Sequence, residues 1–199
     1  MWDERYRQAA LTYGAEPNDF LVEHVRVLRP GTCLCLAEGQ GRNAVWLASQ
    51  GFSVTAVDQS DVGMARAQEL AAERGVALVT EVADLAQFNL GNGNWDNIAS
   101  IFGHLPSELR RDVHRRVVKA LRPGGIFLLE AYTPQQFETS GTGGPPDADM
   151  LPTAEVLTAE LAGLEVLLAQ DIFRQVNEGE FHKGEGAVVQ FIARKPLEG

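Results

Sequence analysis

Cysteine is scarce in this chain: 199 residues hold two, Cys33 and Cys35. Two positions apart in one strand, they have poor geometry for a disulfide. No histidine lies near them in sequence to complete a metal or redox set, so they read as small buried hydrophobes, and no metal site is expected. A disulfide scaffold is excluded, and a reduced, cytoplasmic setting is the expectation. Basic residues are also few, 17 against 27 acids, for a formal net charge of −10. A surface this acidic repels phosphate backbones and anionic lipids at long range, so nucleic acid is not expected as a partner. No apolar run approaches the roughly 18 residues that span a bilayer. The charged start Met1-Trp2-Asp3-Glu4-Arg5 lacks the apolar core of a signal peptide, and no membrane partner is expected. Internal repeats and long low-complexity blocks are missing as well.

What the sequence does contain is an alternation of short apolar runs with longer amphipathic ones, the pattern of a parallel sheet covered by helices. Strands are expected at 32–37, 53–57, 77–82, 95–102 and 126–130. Helices are expected at 42–49 and 62–74, and on the stripe Leu109, Val113, Val117, Leu121. Thr153 is placed to cap a further short helix, with Glu155 in its first turn. Residues 1–28 form a helical arm that is a possible lid, with Phe20, Leu21, His24, Val25 and Leu28 at helical spacing. Segments 164–176 and 186–193 are separated by little more than Asn177-Glu178-Gly179-Glu180, which makes them an antiparallel hairpin. The expected fold is one α/β domain over 1–199: a doubly wound, mostly parallel, seven-stranded sheet with helices on both faces and a C-terminal antiparallel hairpin.

The first strand runs into Glu38-Gly39-Gln40-Gly41-Arg42-Asn43 and then a helix. Without Cβ atoms, Gly39 and Gly41 let the backbone turn sharply and approach a ligand, and the following helix N-terminus offers free N–H groups to an anion. Asp58 follows at the tip of the second strand, where an acid accepts hydrogen bonds from both hydroxyls of a ribose. Asp84, just past the third strand, sits where an acid can accept from an exocyclic adenine amine; capping its own segment is the plain alternative. Three ligand-type groups on successive strand tips point to a nucleoside-containing ligand, since open α/β sheets bind at their carboxyl edge. Gly39-x-Gly41-x-x-Ala44 also satisfies the dinucleotide fingerprint, which keeps an NAD(P)-dependent oxidoreductase as an alternative. Against it, the stretch after the fifth strand leaves little room for a second mononucleotide-binding half.

Together, Glu38-Gly39-Gln40-Gly41-Arg42-Asn43, Val57-Asp58-Gln59-Ser60, Ala83-Asp84-Leu85 and Leu121-Arg122-Pro123-Gly124-Gly125 resemble the class I S-adenosylmethionine-dependent methyltransferases. With Trp46-Leu47-Ala48 added, the first motif is similar to the tellurite-resistance and thiopurine methyltransferase-like branch. The resemblance spans about 32–132. It implies S-adenosyl-L-methionine as cofactor, held by Glu38, Gly39, Gly41, Arg42, Asp58, Gln59, Asp84 and Leu85. It also implies methyl transfer by in-line displacement to a small acceptor, with sulfur, selenium or tellurium nucleophiles leading. The chain departs from the family in having Cys35 where an acid orients the cofactor's amino group, Ala37 where a glycine is common, and Glu38 beside the turn. Glu38 or a backbone carbonyl is then the substitute for that acid, and Arg42 a partner for the methionine carboxylate or a solvated arginine. The same departures keep open a non-catalytic S-adenosylmethionine-binding regulator.

Candidates for the chemistry lie past the fourth and fifth strands. His104 falls beside the transferable methyl in this fold, as a base or an anion contact; a histidine bonded within its loop is the alternative. Glu130, Tyr132 and Gln135 leave the fifth strand at the same edge, and Arg174 and His182 reach toward it from the hairpin. Of these, Tyr132, Gln135, Arg174 and His182 are the candidate substrate contacts. The run from Thr139 to Pro146 is a lid or a surface loop. Trp2, Tyr6 and Tyr13 fold over the cofactor or pack on the sheet. Monomer and homodimer are both compatible with the sequence.

Overall fold

The computed structural model describes Asp3, Tyr6 and residues 14–179 and 182–197; Trp2 and Tyr13 lie outside the described residues. Seven strands form one sheet in the order β3-β2-β1-β4-β5-β7-β6. They are β1 Thr32–Leu36, β2 Ser53–Asp58, β3 Val79–Val82, β4 Trp95–Ile101, β5 Leu121–Tyr132, β6 Glu165–Asn177 and β7 Lys183–Arg194. The first five run parallel, and β7 pairs antiparallel with both β5 and β6. The expected seven-stranded sheet with its terminal hairpin is the one observed. The hairpin closes the sheet at the place where a second mononucleotide-binding half would have to begin.

From Asp19 on, the α-helices over the sheet among the described residues are α1 Asp19–His24, α2 Arg42–Ser49, α3 Asp61–Glu73, α4 Ser107–Ala120 and α5 Ala154–Glu160. Side chains alternate across each strand, so β1 feeds two cores. Leu34 and Leu36 pack with Val113 and Val117 of α4 and Leu157 of α5. Cys33 and Cys35 point the other way, against Phe20, Leu21, Leu47 and Met64 of α1, α2 and α3. Both thiols are buried, and Cys35 is pushed well above its ordinary pKa by its contact with Cys33 and by burial, which makes it inert. Each fully buried leucine here contributes about 1.5–3 kcal/mol, and Leu34→Ala would cost about 2–5 kcal/mol. Among the described residues, no helix is long and apolar enough to cross a membrane.

Local chemistry sets the boundaries. Asn18 caps α1 through the Leu21 N–H, Ser60 caps α3 through the Gly63 N–H, and Thr153 caps α5 through the Val156 N–H. The segment expected to be helical through Leu28 leaves α-geometry at His24 and tightens into a 3-10 turn over Val25–Val27. The fifth strand starts five residues earlier than its apolar run. Leu121 pairs with Trp95 and Ile126 with Asn97, so a bulge absorbs Pro123-Gly124-Gly125 inside the strand. The tips of β1, β2, β4 and β5 then deliver Ala37, Asp58, Phe102 and Tyr132 to one edge of the sheet.

Candidate active site

The turn after β1 is left-handed at three positions: Ala37 (φ 51°), Gly39 (φ 62°) and Gly41 (φ 86°). Ala37 carries this conformation at the cost of a Cβ contact that glycine avoids. Gly41 sits so close to α3 that a Cβ on it would lie 2.5 Å from that of Ala67, so only glycine fits. Asp58 locks the turn to β2. Its Oδ2 accepts from Gly39 N at 2.9 Å and its Oδ1 from Ser60 N at 2.9 Å. Burial pushes the Asp58 pKa up against these bonds, and Asp3 adds to the rise.

The helix N-terminus is not left open. Glu38 turns back over α2, and its Oε1 accepts from Asn43 N at 3.0 Å and Ala44 N at 2.8 Å. The N–H groups expected to await a ligand anion therefore already hold a carboxylate of the chain itself, which the helix dipole favours. Burial pushes Glu38 up to about 7 despite those bonds and the nearby Arg42. Tyr6 and Asp3 lie over the same turn. Tyr6 is buried with its hydroxyl 2.6 Å from where a Gly39 Cβ would stand, and the Ser60 hydroxyl donates to Asp3 Oδ1.

Farther along the edge, Gln59 is exposed and Leu85 is buried, while exposed Asp84 caps its own turn through the Ala86 N–H at 2.9 Å. Gln135 points to solvent. Its neighbour Gln136 is the buried one, accepting from Ala187 N at 2.9 Å.

Past β4 and β5 the structure brings four rings together. Phe102, itself left-handed at φ 53°, stacks on Tyr132 at 4.7 Å between centroids. His182 meets Phe102 edge-on at 4.7 Å and Tyr132 at 5.4 Å, and His104 stacks on Tyr132 at 5.7 Å. The imidazole of His104 is engaged within its loop: Nε2 accepts from Tyr132 N at 3.0 Å, and the ring also bonds the Phe102 backbone. Burial pushes His104 down to about 4 and His182 down to about 3. The Gly-rich loop packs on the same rings, with Tyr132 donating to Thr142 O at 3.5 Å and Thr142 bridged to Lys183 of β7.

Beside the rings lies a buried charge network that the sequence reading did not assemble. Glu130, fully buried on β5, accepts from Arg174 Nε (2.9 Å) and Nη2 (2.6 Å), Asn18 Nδ2 (2.6 Å) and Gln190 Nε2 (2.9 Å). Glu178, on the hairpin turn, accepts from Arg174 Nη2 at 2.8 Å, Asn18 Nδ2 at 2.9 Å and Arg42. Burial raises the Glu178 carboxyl, but Arg42 and Arg174 overrule it and hold it below its usual range. Arg42 also donates to Glu16 O at 3.1 Å, so its guanidinium turns away from the glycine turn and toward the hairpin. Two cavities border these groups, one lined by Arg42 and one by His104. One of about 270 Å³ sits behind α2, between Glu16, Trp46 and Arg74, and one of about 20 Å³ lies beneath His104.

Residues 33–125 match the family described as "Methyltransferase domain". The cofactor that this family and fold imply is S-adenosylmethionine. In sequence the domain is 30% identical over 114 residues to a 2-heptyl-1-hydroxyquinolin-4(1H)-one methyltransferase of Mycobacteroides abscessus, covering 56% of this chain and 47% of that one. The chain thus spans about half the length of that curated relative. In structure it is similar to a protein described for conversion of a disulfide bond into a thioacetal group during echinomycin biosynthesis, with TM-score 0.76, 18% identity, and 100% and 92% of the two chains covered. It is similar also to TehB from Haemophilus influenzae, with TM-score 0.74, 21% identity, and 89% and 62% covered. At these identities the structural likeness carries the fold. The carboxyl edge of the sheet offers acceptors of the kind a nucleoside cofactor would need. Asp58 accepts from the backbone of Gly39, Ser60 and Gln59, and its two carboxylate oxygens keep acceptor capacity beyond these three bonds. The space a Cβ would fill is taken by Tyr6 at Gly39 and by Ala67 at Gly41.

Proposed function

We propose that the protein transfers the methyl group of S-adenosylmethionine to a small acceptor whose nucleophilic atom is already ionised at neutral pH. Sulfur, selenium and tellurium anions are the leading class. The observation that carries this reading is the state of the histidines. His104 Nε2 accepts from Tyr132 N of β5 and the ring also bonds the Phe102 backbone, while burial pushes His104 down to about 4 and His182 down to about 3. Neither imidazole is poised to take a proton near neutrality, and an acceptor that arrives as an anion needs no base.

Asp58 is proposed to hold the ribose, Asp84 and Leu85 to flank the adenine beside Gln59, and Glu38 to hold the methionine amino group in place of the absent acid at Cys35. Glu38 suits this because only one of its oxygens is used by α2. When bound, the cofactor supplies a methyl group already activated on a sulfonium, so the chain's task is alignment and exclusion of water. Tyr132 and His182 form the wall that orients the acceptor, Arg174 and Arg42 stand behind it, and the 1–28 arm closes over the turn through Asp3 and Tyr6.

A second acceptor class is favoured by the Mycobacteroides abscessus relative: the hydroxyl of an N-hydroxy heteroaromatic ring, which is acidic and planar and suits a wall of stacked rings. The test is a panel of a small thiol, selenite, tellurite and 2-heptyl-1-hydroxyquinolin-4(1H)-one, each incubated with cofactor and followed by S-adenosylhomocysteine release. Turnover whose rate tracks the ionised fraction of the acceptor supports the proposal. A primary amine and an aliphatic alcohol complete the panel, and turnover confined to those two overturns the proposal.

A further inference from the structure

The charge network is asymmetric in a way that suggests a use. Arg174 is already matched by Glu130 through two parallel bonds, at 2.9 and 2.6 Å, the strong bidentate arrangement of a guanidinium and a carboxylate. Glu178 is therefore the counter-ion of Arg42, and it comes from a different kind of element. Glu130 on β5 and Arg174 on β6 sit on strands that flank β7 in the sheet, whereas Glu178 sits on the turn between β6 and β7, followed by Gly179 at φ 74°. Its backbone N–H bonds His182 O at 2.8 Å, so the carboxylate and the His182 ring ride on the same turn. That ring is the edge-on partner of Phe102 and Tyr132. With the Glu178 carboxylate withdrawn, Arg42, Arg174 Nη2 and Asn18 Nδ2 would be left converging on one point beside the stacked rings, with one positive charge unmatched.

We infer that the Glu178 carboxylate is an internal stand-in for an anionic acceptor, occupying a binding site formed by Arg42, Arg174 and Asn18. The ligand class is a small oxyanion, or an acceptor with an anionic head of that size. The inference rests on reading the ring cluster as the acceptor wall. An arriving anion exchanges with Glu178, and the turn carrying Glu178 and His182 moves as it does so. The buried arginine pair is never left without a counter-charge, which matters because an unpaired buried charge is strongly destabilising. Competition from Glu178 lowers the apparent affinity for the anion by the fraction of molecules in which the turn is withdrawn.

The experiment titrates sulfate, an unreactive oxyanion, into the full chain by calorimetry at constant ionic strength. The wild type is compared with Glu178→Gln and with Glu178→Gln combined with Arg42→Met. S-adenosylhomocysteine is titrated into every protein as a separate readout. The expected result is sulfate binding on the order of tenfold tighter or more in Glu178→Gln, returning to the wild-type value when Arg42 is also replaced. Arg42 dependence separates site binding from the general exclusion effect of sulfate, which acts on every protein surface. Equal sulfate affinity in wild type and Glu178→Gln, with S-adenosylhomocysteine still bound by both, overturns the inference and leaves the methyltransferase reading standing. Absence of S-adenosylhomocysteine binding in the wild type overturns that reading and takes the inference with it. Where Glu178→Gln does not fold, Glu178→Asp, whose shorter carboxylate keeps the charge, replaces it; a smaller gain is then expected, and no gain overturns the inference.

Discussion

Glu38→Gln perturbs the glycine turn at one atom. In the folded chain, burial pushes the carboxyl from 4.5 up to about 7. The unfolded chain releases this proton near 4.5, while the folded chain holds it until about pH 7. The unfolded state therefore binds fewer protons between these values, and the wild type loses stability as pH rises through the interval. The full shift corresponds to about 3 kcal/mol above pH 7. Glu38 is only partly buried, and solvent screening trims this to about 1–3 kcal/mol. Glutamine keeps a carbonyl oxygen to accept from Asn43 N and Ala44 N and removes the buried charge. Glu38→Gln should differ least from the wild type at pH 4 and exceed it at pH 8 by about 1–3 kcal/mol, a gain of roughly 2–10 °C in Tm for a chain of this size. Urea melts of both proteins at the two pH values measure the difference, because every other titrating group cancels between them. A variant that is less stable at pH 8, or one with the wild-type pH slope, would refute the reasoning. The same substitution should weaken S-adenosylmethionine binding if Glu38 holds the amino group, so stability and function move in opposite directions.

Three further outcomes follow from the same geometry. Glu130→Gln leaves the Arg174 guanidinium in a buried site with less counter-charge and should cost about 3–5 kcal/mol in urea melts; adding Arg174→Met should recover part of that, and a neutral single variant would contradict the network. Because His104 is engaged and neutral, the pH–rate profile should show no limb near 6.5 that disappears in His104→Ala, and a limb removed by that change would restore it as a base. Ala37→Gly relieves a left-handed alanine and should raise stability by up to about 1 kcal/mol by thermal melt, whereas a loss of stability would show that Ala37 bears no strain.

The strands were legible because their cause is local. An uninterrupted apolar run such as Cys33-Leu34-Cys35-Leu36 fits a strand buried on both faces, and Asp58 and Asp84 mark strand tips by position alone. The start of β5 was not legible, because Arg122-Pro123-Gly124-Gly125 reads as a turn and becomes strand only through the bulge opposite Trp95 and Asn97. The capping role of Glu38 had a signal in the sequence: an acid just ahead of a helix start, where the dipole favours it. The charge network had none. Its members Asn18, Arg42, Glu130, Arg174 and Glu178 lie up to 160 residues apart, and they meet only where β7, pairing with both β5 and β6, brings the hairpin against the starts of α1 and α2. His104 was legible in place and not in role, since its bond to Tyr132 N depends on how two loops meet.

The central claim is that the edge formed by Gly39, Gly41 and Asp58 holds S-adenosylmethionine. Parallel calorimetric titration of the purified chain and its Asp58→Ala variant with S-adenosylhomocysteine and NADH tests it most directly. The account predicts S-adenosylhomocysteine binding in the wild type and none for NADH. It also predicts a loss on the order of 100-fold or more in the variant, since two hydrogen bonds to a charged group are removed. NADH binding in place of S-adenosylhomocysteine, or an affinity unchanged by Asp58→Ala, would contradict it.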